Sequence, residues 1–393
     1  MLSSESAKRE FLLLIIPLLI VEFVRGAFII SYVPDLSVRH AGISIAVVGL
    51  AVSIHFISDA ITNLVIGYLI KHVGTKLVIQ FSFLISSVGL ILVCIWMNNF
   101  TVLISSLLLG IGICPLWLVM LTKASGDNRG HNMSLVYLGW LGGLGAGTIL
   151  MNYLLEFEKF PILWLLPILM IAGWIIFNLV IRDEIDPHQT DLKTQWKATL
   201  ELLKKSRPVI PGTLLQGISM GMLIPILPSF IIKQMGLSHT EYSLLLLLGG
   251  AMAVFFLVPM GKVADRASKV GLVILGFGVS GVSLFLLANS KNFVTTLIYI
   301  VLLGLFFAVV LPAWNAFIAG FIPESLKEAS WGIFSALQGV GVMIGPTLGS
   351  LLALKNKAAN TIEVSASIFI GISLIYLVYF VVRKVQKHRT RTN

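Results

Sequence analysis

Three charged residues stand deep inside long apolar runs of the sequence: Glu22, Arg25 and Asp59. If those runs cross a bilayer, each ionised group costs roughly 2.5–3.5 kcal/mol at the membrane centre, so such groups usually face a cavity or one another. Glu22 and Arg25 are three residues apart and would share a helix face. We take Glu22 and Asp59 as candidate protonation sites, because a carboxyl group can bind and release a proton. The alternative is a purely structural Glu22–Arg25 pair.

Four further side chains extend this candidate site. His55 and Asn63 lie one helical turn before and after Asp59. Trp117 and Trp140 stand within apolar runs, away from the membrane interface where tryptophan usually lies. An indole offers a flat apolar face and one hydrogen-bond donor, which suits stacking against a sugar ring. We predict that these four residues, with the three charged ones, bind the polar headgroup of a substrate. Helix packing is the alternative for the two tryptophans.

The composition excludes a soluble protein. Apolar residues make up 57% of the chain and charged residues 12%, about half of the ~25% that soluble domains carry. A helix needs about 20 apolar residues to cross the hydrocarbon, and helices satisfy every backbone group internally. We predict an all-α membrane protein with twelve transmembrane helices at 11–33, 43–70, 75–97, 99–122, 132–155, 161–181, 208–232, 239–262, 270–289, 293–320, 329–354 and 363–382. We find no nucleophile triad, metal cluster or phosphate-binding loop, so neither an enzyme nor a cofactor is expected.

The distribution of basic residues predicts the orientation. With both termini in the cytoplasm, the inner segments hold 21 of the 28 lysines and arginines, and the outer connections hold six. That bias is the positive-inside signature, and the net charge of +10 then reflects topology and contact with anionic lipid. A nucleic-acid partner is not expected.

One long polar connection, 182–207, divides the chain into a bundle at 1–181 and a bundle at 208–393. This connection is either an amphipathic helix on the inner membrane surface or a simple charged linker. The basic tail from Arg383 onward is expected to be mobile.

Two prolines, Pro225 and Pro228, interrupt the hydrogen-bond ladder of the seventh span. They are either a hinge or packing residues.

The two halves match at a constant shift of 194 residues, which places Gly67 on Gly261 and Gly110 on Gly304. A fixed shift over several spans indicates duplication. Two pseudo-symmetric six-helix bundles around a central site are a transporter architecture.

The duplicated halves differ in charge. At the same shift, Glu22, Arg25 and Asp59 become Gln216, Ser219 and Ala253. If both halves line one cavity, its first wall is polar and its second wall is apolar. Such a cavity suits an amphiphile, with the headgroup on the first bundle and the acyl chains on the second.

The connections after the second and eighth spans carry the motif of a known superfamily. The first reads Gly67-Tyr-Leu-Ile-Lys-His-Val-Gly-Thr-Lys76 and the second Gly261-Lys-Val-Ala-Asp-Arg266. Both resemble the loop signature G-x-L-a-D-r-x-G-r-k of the major facilitator superfamily. We expect the glycines to let two helices approach closely and the charges to lock a cytoplasmic gate; ordinary loop charges are the alternative. The predicted gate residues are Gly67, Lys71, Gly74, Gly261, Asp265 and Arg266.

Several stretches resemble one subgroup, the glycolipid flippase of the lipoteichoic acid pathway in Gram-positive bacteria. These stretches are Glu22–Gly26, Ser53–Asp59, Leu214–Gly217, Ile224–Pro228, Leu311–Asn315 and Trp331–Phe334. The resemblance implies a proton-coupled antiporter, driven by the proton gradient, that carries a diglucosyl-diacylglycerol lipid from the inner to the outer leaflet of the bacterial plasma membrane. It assigns a polar pocket to Glu22, Arg25, Asp59, Trp117 and Trp140, assigns the lipid tails to the C-terminal half, and includes Lys71 in place of the usual Asp. We expect a monomer among membrane lipids, with cell-wall or lipid-synthesis membrane proteins as partners.

Two other functions remain open from the residues. A drug/proton antiporter of the same fold could use Glu22 or Asp59 to neutralise a lipophilic cation. That group usually carries a Gly-Pro motif in its fifth span, whereas Gly345-Pro346 lies in the eleventh span here. A membrane receptor or scaffold would explain neither the charges at mid-membrane depth nor the duplicated loop motif.

Overall fold

The structure is a computed structural model that describes residues 4–39, 42–124, 129–157, 161–181, 206–321, 327–355 and 357–392. Every regular element in these ranges is helical. Twelve candidate spans in the described part are long and apolar enough to cross a membrane, which confirms the predicted number. Most of the predicted amphipathic connection, 182–205, lies outside the described residues.

The twelve spans follow the predicted order. The first span runs through the α-helix Ser4–Arg25, the π-helix Gly26–Tyr32 and the α-helix Val33–Arg39. The second to sixth spans are Ile45–Val73, Thr75–Ile95, Asn99–Ala124, Arg129–Leu154 and Leu165–Val180, the last preceded by a 3-10 turn at Ile162–Trp164. The seventh is Ile210–Pro228 with the π-helix Ser229–Gln234, and the remaining five are His239–Arg266, Lys269–Ala288, Phe293–Ala319, Lys327–Lys355 and Ala358–Thr392.

The first span is longer than the sequence indicated, because the predicted end at residue 33 is wrong. Proline and aspartate at 34 and 35 are a turn signal, yet helical structure continues to Arg39. Pro34 has no N–H to donate and can be accommodated near the start of a helical segment. The preceding residues form a π-helix, in which the N–H of Val33 bonds the carbonyl of Phe28, five residues back. Asp35 therefore lies on a helix instead of in a loop.

The last span is also longer than predicted. The expected mobile tail after Arg383 continues the helix to Thr392. Residues 383–392 contain neither glycine nor proline and are rich in lysine and arginine, which are good helix formers. The charge pattern indicated where the membrane span ends, but it did not indicate where the helix ends.

Two compact units divide the chain. Unit 1 comprises Met1–Gln189 together with Ser238–Ser243, and unit 2 comprises Thr190–Leu237 and Leu244–Asn393. The first turn of the eighth span therefore clusters with unit 1, while the rest of that span belongs to unit 2.

A stripe of glycines joins the fifth span to the first in unit 1. A methyl group at Gly143 would lie 2.5 Å from the carbonyl oxygen of Leu19, and one at Gly139 would lie 3.1 Å from Ile15. One at Gly147 would overlap the backbone of Phe23. Since these glycines are four residues apart, they face one side of the helix, where small residues let two backbones approach closely.

Unit 2 repeats this packing at the equivalent helices. Gly341, which is Gly147 shifted by 194 residues, packs on the seventh span, where an added methyl would lie 2.5 Å from the carbonyl oxygen of Leu214. The pair Gly110 and Gly304 marks a second equivalent point. A methyl at Gly110 would overlap the His55 carbonyl, and one at Gly304 would overlap that of Gly249. The sequence repeat is thus a repeat of helix crossings.

Candidate functional site

The three charged residues predicted at mid-membrane depth come together in unit 1. Arg25 lies between two carboxylates: its Nη1 is 3.7 Å from Glu22 Oε2 and its Nη2 is 3.5 Å from Asp59 Oδ2. Glu22 and Arg25 share the first span, as their spacing predicted, and Asp59 comes from the second. The Glu22 side chain is 1% exposed and that of Asp59 is 20% exposed. The cluster therefore has a closed end and a more accessible end.

The charges of this cluster do not balance when both carboxyl groups are ionised. One guanidinium against two carboxylates leaves a formal charge of −1, and one bound proton makes the cluster neutral. Both oxygens of Glu22 are buried and have no hydrogen-bond partner among the described residues. A buried charge without hydrogen bonds is costly. One proton shared by the two carboxyl groups would remove that cost, so the arrangement can bind a proton reversibly.

Backbone packing holds the two carboxylates in place. A methyl group at Gly143 of the fifth span would lie 3.0 Å from Cβ of Glu22, and one at Gly110 of the fourth span would lie 3.2 Å from the backbone nitrogen of Asp59. The guanidinium carbon of Arg25 lies 5.5 Å from the centre of the Phe56 ring, within the range of a cation–π interaction. The position of Phe56 was not predicted; it follows His55 and stands three residues before Asp59.

His55 and Asn63 occupy different environments. The His55 side chain is fully buried, with Nδ1 3.3 Å from the carbonyl oxygen of Ser106 and its ring 5.3 Å from that of Phe56. Asn63 is exposed, and its Nδ2 donates to the backbone oxygen of Asp59 at 3.2 Å. Neither side chain forms a described hydrogen bond with a carboxylate of the cluster. Their roles in headgroup binding stay predictions, and for His55 the burial favours a packing role.

Trp117 and Trp140 meet in an aromatic group with a third member. Their ring centres are 5.9 Å apart, and Tyr137 lies 5.6 Å from Trp117 and 6.3 Å from Trp140. Both tryptophans are half-buried and Tyr137 is exposed, so the group retains accessible aromatic surface. The sequence analysis missed Tyr137, although it precedes Trp140 by three residues and so shares its helix face.

The equivalent positions in unit 2 carry no charge. Gln216 and Ser219 are buried, and the hydroxyl of Ser219 bonds the carbonyl oxygen of Ser365 on the twelfth span at 3.2 Å. Ala253, the counterpart of Asp59, is half-buried. Ser219 therefore joins two helices of its own bundle by a neutral hydrogen bond. Its counterpart in unit 1, Arg25, instead lies between two carboxylates.

The predicted gate residues are described only in part. Gly74 separates the second and third spans with a φ of 91°, a backbone conformation that glycine adopts readily. A methyl group at Gly261 would contact none of the residues that the structure describes within 4 Å, so the expected close helix approach is wrong there among these residues. Arg266 is exposed. The surroundings of Gly67 and the side chains of Lys71 and Asp265 lie outside the described residues.

Both hinge candidates lie in the last turn of the seventh α-helix. Pro225 and Pro228 are buried, and the π-helix Ser229–Gln234 follows them directly. The backbone therefore changes its hydrogen-bond register at this point, as it does in the first span before Pro34. A hinge role is a prediction that the register change supports.

A second charged cluster in unit 1 was missed by the sequence analysis. Asp35 is 2% exposed and holds two partners: Arg39 Nε at 2.6 Å and His239 Nε2 at 2.7 Å. Glu156 Oε2 lies 3.9 Å from the other nitrogen of His239. Arg39 also donates to the carbonyl oxygen of Leu155. The spacing of four between Asp35 and Arg39 was an available signal, but the first span was predicted to end at residue 33, which left both residues in a connection.

The fold and the repeat define a superfamily. The family model described as Major Facilitator Superfamily matches residues 14–211 and again 209–393. A crystal structure of the nucleoside transporter NupG superimposes with a TM-score of 0.76 at 12% identity, covering 94% of this chain and 99% of that one, which speaks for the fold alone. The protein is a major facilitator transporter with twelve membrane spans.

Two relatives narrow the assignment within that superfamily. The "Proton-coupled antiporter flippase LtaA" of Staphylococcus haemolyticus is 35% identical over 398 residues, which cover 100% of this chain and 98% of the relative. The protein of the same name from Staphylococcus aureus strain USA300 is 34% identical over 389 residues, 98% of each chain. The chain belongs to the family of these LtaA flippases, which confirms the resemblance found in its motifs.

Proposed function

We propose that this protein is a proton-coupled antiporter that moves a glycolipid of the diglucosyl-diacylglycerol type from the inner to the outer leaflet by alternating access. The observation that carries the proposal is the position of Arg25 between Glu22 and Asp59. This position links a proton site to a cationic hydrogen-bond donor inside one bundle. The printed name of the relatives, "Proton-coupled antiporter flippase LtaA", supports proton-coupled antiport and flipping of a lipid.

The coupling follows from the charge count of the cluster. With one proton bound, Arg25 neutralises the remaining carboxylate and is held by it. Loss of the proton leaves an excess negative charge, which is costly in a low-dielectric interior. Hydroxyl groups of an incoming headgroup can then donate to the second carboxylate and lower that cost. Binding of a glycolipid and binding of a proton therefore compete, and such competition is the thermodynamic requirement for antiport.

The glycolipid binds in two parts in this mechanism. Its sugars lie against Trp117, Trp140 and Tyr137, whose accessible ring faces suit the apolar face of a pyranose. Its acyl chains lie along unit 2 or in the bilayer, because the counterparts Gln216, Ser219 and Ala253 carry no charge that would repel them. In this proposal the polar wall of the first bundle binds the headgroup, and the apolar wall of the second bundle binds the acyl chains.

The remaining features complete this proposal. The protein acts as a monomer in the bacterial plasma membrane with both termini in the cytoplasm, where cell-wall or lipid-synthesis membrane proteins supply its substrate. The charged residues of the gate motif, Lys71, Asp265 and Arg266, lock the cytoplasmic side. Pro225 and Pro228 provide the hinge.

Transport in proteoliposomes tests the coupling. The assay follows a fluorescent diglucosyl-diacylglycerol with and without an imposed pH gradient. Glu22→Gln and Asp59→Asn each leave one carboxylate permanently paired with Arg25, so transport should no longer respond to the gradient. Glu363→Gln is the matched control, because that carboxylate lies in unit 2 and accepts a hydrogen bond from Asn289. Gradient-dependent transport that persists in both site variants would refute the assignment.

A further inference from the structure

A crevice in unit 2 stands apart from the charged cluster. It has a volume of about 510 Å³ and lies among the ninth, tenth and twelfth spans, at their ends predicted to face the cytoplasm. Aromatic rings form one side: Phe317, Phe321, Tyr379 and Phe380. The ring of Phe317 is 5.3 Å from that of Phe321 and 5.9 Å from that of Tyr379. The crevice thus has a continuous apolar wall.

The ninth span gives the crevice a basic side. Lys269 lines it at the first turn of the ninth span, is exposed, and forms no ion pair with a carboxylate that the structure describes. The other charged side chains described at the adjoining ends of the eighth and twelfth spans are Lys262, Arg266 and Lys384, all positive. In the sequence, Asp265 is the one acidic residue between 242 and 323. This end of the bundle therefore attracts anions.

We propose that this crevice binds one anionic phospholipid of the inner leaflet, such as phosphatidylglycerol. Its phosphate pairs with Lys269, beside the N-terminal turn of a helix whose dipole favours negative charge. One acyl chain lies on the rings of Phe317 and Phe321. Basic pockets between transmembrane helices on the cytoplasmic side recognise anionic headgroups in this manner.

A lipid explains both sides of the crevice, whereas a soluble phosphate would use only the basic one. The crevice lies at span ends predicted to face the cytoplasm, where interfacial aromatic residues would meet the headgroups. None of its lining residues belongs to the site proposed for the transported glycolipid. The bound lipid is therefore a structural ligand of unit 2 and is distinct from the substrate.

Native mass spectrometry of the full-length protein in detergent tests this site. The protein is incubated with equal amounts of dioleoylphosphatidylglycerol and dioleoylphosphatidylcholine, and the expected result is preferential retention of the anionic lipid. Lys269→Gln should lower that retention about fivefold, the loss expected when one lysine–headgroup attraction is removed. Lys291→Gln is the matched control, an exposed lysine of unit 2 at the predicted outer ends of the spans that does not line the crevice, and it should leave retention unchanged.

Two further arms distinguish the possible ligands. Phe321→Ala removes part of the apolar wall without altering charge and should also lower retention. An excess of glycerol 3-phosphate, which carries the phosphate without the chains, should not displace the lipid. The proposal is overturned if Lys269→Gln retains the lipid like the unmodified protein, or if Lys291→Gln loses it equally. Retention unaffected by Phe321→Ala, or displacement by glycerol 3-phosphate, would likewise overturn the lipid assignment. Size-exclusion profiles establish that each variant is folded.

Discussion

Replacement of Gly143 by alanine offers a direct test of whether helix packing sets the proton site. The added methyl group would lie 2.5 Å from the carbonyl oxygen of Leu19 and 3.0 Å from Cβ of Glu22. Ordinary contacts begin near 3.4 Å, so the first and fifth spans must separate by about 0.9 Å. Overpacking of this kind costs about 1–3 kcal/mol.

A shift of that size reaches the charged cluster. Arg25 travels with the first span, while Asp59 stays with the second, and their separation is 3.5 Å. If this separation increases by about 0.9 Å, the two charges lie beyond the 4 Å that defines an ion pair, and the pair is broken. Gly143→Ala should therefore weaken the response of transport to a pH gradient as well as the thermal stability.

Gly341→Ala is the matched control for this prediction. Its methyl group would also lie 2.5 Å from a carbonyl oxygen, that of Leu214, but the seventh span carries uncharged Gln216 and Ser219 in place of the cluster. Both variants should lower the melting temperature in detergent by a similar amount. Only Gly143→Ala should lose gradient dependence in proteoliposomes. Equal loss in both variants, or full gradient dependence in Gly143→Ala, would refute the link between packing and coupling.

Two other predictions concern the aromatic group and the second charged cluster. Trp117→Ala and Trp140→Ala should each weaken glycolipid binding about 2- to 13-fold, corresponding to the 0.5–1.5 kcal/mol of an aromatic contact, as measured by displacement of a fluorescent analogue. Phenylalanine at either position should restore part of it, and unchanged affinity in both alanine variants would contradict the stacking role. Asp35→Asn should lower the free energy of unfolding by about 1.5–3 kcal/mol, because it removes the carboxylate that pairs with Arg39 and is hydrogen-bonded to His239. Thermal denaturation measures this loss, and a variant as stable as the unmodified protein would show that Arg39 and His239 have other adequate partners.

The sequence by itself determined the fold class, because hydropathy depends on composition within one segment at a time. Apolar runs of membrane length gave twelve spans, and the fixed shift of 194 residues gave the duplication. The candidate site was equally visible: Glu22, Arg25 and Asp59 stand out because a charge within an apolar run is rare.

Only the tertiary structure decided which of these residues meet. A spacing of three joined Glu22 to Arg25, but no local pattern could place Asp59 of another helix 3.5 Å from the same guanidinium. The same limit applied to Asp35, which the predicted end of the first span left outside a helix, and to Gly261, where the motif suggested a close approach that the described residues do not make. Hydropathy indicates whether one segment enters the membrane, and periodicity indicates which of its residues share a helix face. Contacts between segments depend on the rotation and spacing of whole helices, which are fixed by packing along stripes such as Gly139, Gly143 and Gly147.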